Sequence, residues 1–287
     1  MTQRQSPPPV PAATVVLLRP GAAGGIEIFM VVRHHQIDFA SGALVFPGGK
    51  VDEQDFADQL APHLAGADAD RNMRAMQVAS IREAFEESGV LLARPAGSDD
   101  LVDAERLRAL ESYRNRLHGG ELSMAEFAVK EELVFACDQL VHFAHWITPE
   151  MMPKRFDTHF FLALAPTDHL AVHDGHESVD SVWINAAEAL AAGDAGEYTI
   201  IFPTARNIAK IAQFPNPEAA LRQTRLNQVV TVLPWMERRS DGNYLRIPEA
   251  AGYDISEERL PNREPSAGER EGATPRMEEP SAGEREG

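Results

Sequence analysis

One helix constrains this chain more than any other segment. From Asn72 to Ser88 the apolar residues Val78, Ile81, Ala84 and Phe85 recur at three- and four-residue spacing, and Gly89 stands where a C-cap is expected. At about 100° per residue, Glu83, Glu86 and Glu87 share one side of this helix while the apolar set takes nearly the opposite side. The helix can therefore pack and still present acid. Like charges at such spacing destabilise a helix by about 0.2–0.5 kcal/mol per pair, so three at the well-packed end call for compensation. A hard divalent cation supplies it, because Mg²⁺ prefers oxygen ligands, keeps several waters, and is held by a few carboxylates together with substrate phosphates. Arg82, four residues before Glu86, is placed to pair with and orient that carboxylate. On its own, such a run also fits an ordinary solvated helical face.

The rest of the chain sets this helix in a mixed α/β domain. Thr14 to Leu18 and Ile26 to Arg33 are β-branched and apolar runs around a turn-forming Pro20 to Gly25, which predicts an early hairpin. A third run, Ala43 to Phe46, stops at Pro47-Gly48-Gly49, where glycine permits unusual backbone angles and close approach of other groups. Residues 101 to 132 are helical and charged, divided at Gly119-Gly120. Leu133 to Ile147, Phe156 to Leu164 and Val179 to Ile184 return to strand-like patterns. Helices are expected at 186–192, 204–212 and 218–225, with one late strand at Tyr244 to Ile247. No regular β-α-β alternation runs through this order, so the sheet is mixed.

Composition bounds the function classes. With 287 residues, 44% of them hydrophobic, a single catalytic domain is the simplest count. The longest apolar stretches, such as Ile26 to Val32, fall short of the ~20 residues of a membrane-spanning helix. Met1 to Pro11, a flexible N-terminus, lacks the basic start and apolar centre of a secretory signal, which makes the cytoplasm the default. Cys137 is the single cysteine, leaving oxygen or imidazole as metal ligands. A formal charge of -17 argues against nucleic-acid binding, while a small anionic substrate is compatible if a bound cation offsets the carboxylates. After about Leu260 the composition shifts to Pro, Gly, Glu and Arg, and Glu264 to Gly272 recurs word for word as Glu279 to Gly287. Residues 261–287 are read as a disordered tail. Nothing in the pattern specifies an oligomeric state.

Gly49 and the stretch Arg82-Glu83-Ala84-Phe85-Glu86-Glu87-Ser88-Gly89-Val90 match the box of the Nudix hydrolase family, which this chain resembles over roughly residues 12 to 214. The resemblance implies a Nudix-like α/β/α sandwich with a mixed central sheet, over residues 12–260. It further implies Mg²⁺ or Mn²⁺ held by Glu83, Glu86, Glu87 and Gly49, with Glu86, Glu83, Glu87 and Arg82 as catalytic residues. Water would then attack a diphosphate linkage in a nucleoside-diphosphate-linked small molecule. Two departures stand out. Asp55 occupies the place of the family's first glutamate, and Asp55 and Arg82 are 27 positions apart where the family has eight, an insertion of 19 placed within residues 56–81. With the flanking Ala43 to Asp52 and Arg155-Phe156-Asp157-Thr158-His159-Phe160-Phe161, this insertion resembles an acyl-coenzyme-A diphosphatase subgroup. Coenzyme A or acyl-coenzyme A is therefore the favoured substrate, ahead of ADP-ribose or a nucleoside-diphosphate sugar. A non-catalytic binding or regulatory module is the rival class, disfavoured by the intact Glu83, Glu86 and Glu87.

Weaker candidates lie outside the box. Arg33 and Arg155, at the ends of apolar runs, have the forked donors that bind phosphate, although strand-end arginines are commonly exposed. Glu177 precedes a strand where related enzymes sometimes carry an additional acid. His142/His145 and His173/His176 have i, i+3 spacing without supporting cysteines, which argues against zinc. Trp146 and Trp183 read as core residues. Phe56, Leu60 and Leu64, in the insertion, are candidates to cover an apolar substrate tail.

Overall fold

The computed structural model describes residues 6–33, 43–169 and 178–260. The hairpin expected near the start is formed by β1 (Val10–Pro20) and β2 (Ile26–Arg33), antiparallel with Leu18 opposite Ile28. β1 begins earlier than the expected domain boundary, because Val10 and Pro11 pair with Phe156 and Asp157. Just ahead of it, the Pro7 carbonyl accepts a hydrogen bond from Arg155. Two short strands follow, β3 (Leu44–Val45) on β2 and β4 (Gly48–Lys50) on β1.

The interruption of the box holds two 3₁₀ turns across Glu53–Phe56 and Asp58–His63, the short β5 (Leu64–Ala65), and then α1 (Arg71–Ser88). Residues 71–81, counted with the insertion in the sequence, are thus the front of α1. Asp70 caps this helix by accepting from the Asn72 and Met73 amides, and Gly89 ends it in the left-handed conformation at φ 71° that glycine adopts without Cβ strain.

Next come β6 (Ala93–Pro95), α2 (Ala104–Leu110), α3 (Tyr113–His118), α4 (Met124–Glu131) and β7 (Leu133–Ala136). β5, β7 and β6 make a small sheet of their own. The chain continues through β8 (Val141–Ile147), β9 (Phe156–Leu164), β10 (Ser178–Asn185), α5 (Ala186–Asp194), α6 (Phe202–Ala212), α7 (Pro217–Leu226) and β11 (Thr231–Val232). It closes with β12 (Trp235–Arg239), β13 (Gly242–Arg246) and β14 (Glu257–Arg259). The late strand expected near Tyr244 is β13, the centre of a three-stranded sheet whose neighbours are polar enough to hide from a hydrophobic pattern.

The main sheet runs β10-β2-β1-β9-β8-β11, with β1–β9 and β8–β11 parallel and the other pairs along this path antiparallel. α1 and the packing residues of α2, α3 and α4 cover one face, whereas α5, α6 and α7 cover the other with Ala186, Ile208, Ile211 and Leu221. This is the mixed-sheet α/β/α sandwich expected from the sequence. Among the described residues no helix is long and apolar enough to cross a membrane.

Within the core under α1, Val78, Ile81, Ala84 and Phe85 are fully buried, and Phe85 stacks on Phe127 at 5.7 Å. Burying side chains as large as Ile81 and Phe85 stabilises the fold by about 1.5–3 kcal/mol each. The insertion shares this core: Leu60 is fully buried in it and Leu64 packs against it. Trp146 is core as expected, its indole N–H donating to Tyr253 Oη at 2.8 Å, while Trp183 is half-buried between Phe29 and the Arg19 guanidinium.

Candidate active site

The acidic face of α1 is not solvated. Glu83, Glu86 and Glu87 are all buried, Glu86 to 4% exposure, so both faces of the helix are enclosed. Strand β4 supplies the lid over the acids. Glu87 Oε2 accepts the Gly48 amide hydrogen at 2.8 Å, and a Cβ on Gly49 would lie 2.7 Å from the Glu83 carboxyl carbon. Neither glycine has a positive φ. The unusual angles suggested by Pro-Gly-Gly are thus absent at these positions, and the glycines serve close approach: only a residue without a side chain lets this strand lie on the carboxylates.

Arg82 is the hub. Its Nε and Nη2 donate to Asp55 Oδ1 and Oδ2 at 3.1 and 2.9 Å, Nη1 reaches Glu83 at 2.8 Å and Glu86 at 3.5 Å, and Nη2 also donates to the Lys50 carbonyl at 2.8 Å. The pairing with Glu86 anticipated from i, i+4 spacing is the longest of these contacts. Asp55, the residue that departs from the box, is 2% exposed and fixes the guanidinium in a forked pair, while its Oδ2 accepts the Asp52 amide hydrogen at 2.9 Å. Burial raises the Asp55 pKa against the pull of Arg82. Burial opposes the charge on Arg82, but Glu83, Asp55 and Glu86 together raise its pKa and keep it protonated.

Glu86 differs from its neighbours. Burial pushes its pKa up to about 7 despite the opposing charge of Arg82. Its Oε1 is buried without a hydrogen-bond partner, whereas Oε2 lies 3.5 Å from Arg82 and 3.7 Å from His118 Nδ1. A buried acceptor left in this state is what a ligand site looks like when a cation is needed to complete it. Carboxylates at i, i+3 and i+4, an orphan oxygen on the central one, and a strand stripped of side chains above them form an oxygen-donor set that fits Mg²⁺ or Mn²⁺.

Comparison with known proteins shows the family. A sequence profile of the NUDT19 Nudix domain family matches residues 66–211, half of the chain. The chain belongs to the Nudix hydrolase family. Within it, the chain is 26% identical to the human acyl-coenzyme A diphosphatase NUDT19, an alignment covering 68% of this chain and 63% of that protein. It is 24% identical to the putative nudix hydrolase 7 of Caenorhabditis elegans, covering 65% and 56% respectively. This chain thus spans about three-fifths of the length of these curated relatives. A crystal structure of a NUDIX hydrolase from Alicyclobacillus acidocaldarius superposes with a TM-score of 0.61 at 28% identity, covering 75% of this chain and 96% of that one.

Other expected site residues fare differently. Arg155 is buried, with Nε donating to the Thr148 carbonyl and Nη1 to that of Pro7, so both groups clamp backbone rather than point into an open site. Arg33 ends β2 opposite Ser178. Glu177, His173 and His176 lie outside the described residues, as do residues 261–287. The helix α3 falls within the helical stretch expected at 101–132, but sequence reasoning missed its contacts: Arg114 donates to the Glu86 carbonyl at 3.0 Å through Nη2 and 3.3 Å through Nε, holding the end of α1, and His118 reaches the Glu86 side chain. Nothing local marks these two, which lie 28 and 32 positions downstream of Glu86.

Proposed function

We propose that this chain is a divalent-metal-dependent hydrolase that cleaves a diphosphate linkage, with coenzyme A or an acyl-coenzyme A as the preferred substrate. The observation that carries the reading is the buried Glu83-Glu86-Glu87 cluster, with the orphan Glu86 Oε1 at its centre and Gly49 packed against the Glu83 carboxylate. Glu83, Glu86, Glu87 and the backbone of Gly49 would hold the ion. When bound, Mg²⁺ or Mn²⁺ lowers the pKa of water and offsets charge on the phosphate oxygens.

The chain's own groups then have distinct work. Glu86, pushed up to about 7 by burial, needs a cation beside it to stay ionised at neutral pH, which fits its place among the ligands. Arg82, pinned by Asp55 and the Lys50 carbonyl, positions Glu83 and Glu86. Gly48 holds Glu87 through its amide. Water forms a new P–O bond and the bridging P–O bond breaks, so coenzyme A would yield 4′-phosphopantetheine and adenosine 3′,5′-bisphosphate.

The coenzyme A preference is supported by the name of the human relative and by the insertion's resemblance to that subgroup. The apolar residues of the insertion do not add to it, since Leu60 and Leu64 pack into the protein core. The test is product analysis on coenzyme A, acyl-coenzyme A, ADP-ribose and NADH with Mg²⁺ or Mn²⁺. Metal-dependent release of phosphopantetheine or its acyl form is expected. Turnover of ADP-ribose alone would overturn the substrate, and no turnover of any of them would favour a binding module.

A further inference from the structure

Four side chains on β8 and β9 that the proposed hydrolysis does not use meet on the α1 face of the main sheet. His145 and His159 are direct cross-strand partners, with ring centroids 4.0 Å apart and planes within 18°. Asp157, two residues before His159 on the same strand face, hydrogen-bonds Nε2 of His145. One donor atom from each of His145, Asp157 and His159 lies within 4.8 Å of the other two. A single tetrahedral ion bound at about 2.1 Å from each would set these atoms about 3.4 Å apart, so it would replace the direct contact between His145 and Asp157 and draw His159 in.

The surroundings of the two rings match what ligating histidines need. His145 Nδ1 is held by Thr231 Oγ1 at 2.8 Å, and His159 Nδ1 by His142 Nε2 at 3.0 Å. Partners of this kind on the far nitrogen fix ring orientation, and metal binding at Nε2 of His145 would replace its hydrogen bond to Asp157. All three grouped residues are half-buried, so an ion can enter.

The cluster also has a defined relation to the carboxylates. Gly49, Ala13, His159 and His145 form one row across β4, β1, β9 and β8. With strands about 4.8 Å apart, His159 lies about 10 Å from Gly49 along the sheet.

We propose that His145, Asp157 and His159 bind a divalent transition-metal ion, zinc by preference, in a three-ligand site separate from the α1 carboxylates and on the same face of the sheet. Two imidazoles and one carboxylate suit zinc better than Mg²⁺. Three protein ligands leave a fourth position open to water or to an anionic oxygen of a bound molecule. The proposal does not depend on the hydrolase reading.

The experiment titrates the full chain with Co²⁺, a spectroscopic substitute for zinc, in millimolar Mg²⁺ so that the oxygen-only site is occupied. One Co²⁺ per chain with visible d–d absorption is expected, displaced by zinc. Glu86→Gln should leave this binding unchanged, whereas His145→Gln and His159→Gln should weaken it by about 100-fold, and Thr231→Val, which removes only the group on Nδ1 of His145, by about 10-fold. Zinc X-ray absorption on the unmodified protein should show two imidazoles, a readout that holds even if a histidine variant misfolds. Absence of imidazole ligation, no Co²⁺ binding below about 0.1 mM, or binding lost in Glu86→Gln and kept in His159→Gln would each overturn the site and leave the cluster a hydrogen-bonded network.

Discussion

Asp55 and Arg82, 27 positions apart in the chain, face each other through two hydrogen bonds of 3.1 and 2.9 Å, with both side chains almost completely buried. The pair joins the 3₁₀ turn before the insertion to the helix after it. Arg82 is also the shared counter-charge of Glu83 and Glu86. Removing one member of a buried charge network leaves the rest uncompensated, which costs about 3–5 kcal/mol. Arg82→Ala should therefore lower Tm by about 10 °C in thermal denaturation, and Arg82→Lys, with the charge but not the fork, should fall between. A Tm for the alanine variant within about 2 °C of wild type would deny Arg82 this role.

Glu86→Gln keeps the side-chain volume and removes the charge. Loss of a principal electrostatic group at a reaction centre lowers turnover by about 10²-fold or more. Steady-state assays with Mg²⁺ should show that loss. Retention of more than about a tenth of wild-type turnover would place the chemistry elsewhere.

The same carboxyl makes the metal-free protein sensitive to pH. Its folded pKa, about 7, lies above the ordinary 4.5, so its protonated form is the one that favours the fold. The stabilisation is complete below about pH 4.5 and is lost as the pH rises through about 7. In the presence of chelator, wild-type Tm should fall by about 5 °C relative to Glu86→Gln between pH 5 and pH 8. Comparison with the variant cancels the other titrating groups, and parallel Tm curves for the two proteins would contradict the shift.

Gly49→Ala places a methyl group against the Glu83 carboxylate without any backbone strain, since the glycine has no positive φ. The carboxylate must move, so Mn²⁺ affinity should drop by about 10–100-fold while the circular dichroism spectrum stays native. Unchanged Mn²⁺ binding by calorimetry would separate Gly49 from the ion site.

The insertion tests as core rather than as a detachable loop. Leu60 is 1% exposed in the cluster that also holds Phe85, so Leu60→Ala should destabilise by about 2–5 kcal/mol. Chemical denaturation measures it. A change below about 1 kcal/mol would mean that the segment packs loosely and can be removed without loss of the fold.

The sequence by itself determined the helix and its chemistry. The three- and four-residue spacing of Val78, Ile81, Ala84 and Phe85, the acids at 83, 86 and 87, and the capping Gly89 are all local, and helical geometry converts such spacing directly into faces. The β1–β2 hairpin, the strands through Leu164 and the closing helices were legible for the same reason, and the mixed sandwich followed from their order. Tertiary structure decided what these elements meet. Periodicity describes an isolated helix, so it could not show that the acidic face would be buried under β4, or that Asp55 would serve Arg82. Nor could it place Leu60 in the core instead of over a substrate. His142 and His145 read as a poor metal pair from sequence because spacing within one strand says nothing of its neighbour. Only the register of β8 against β9 brings His159 and Asp157 beside them, and register is set by the burial of whole strands, a property of the folded sheet and not of any short stretch of chain.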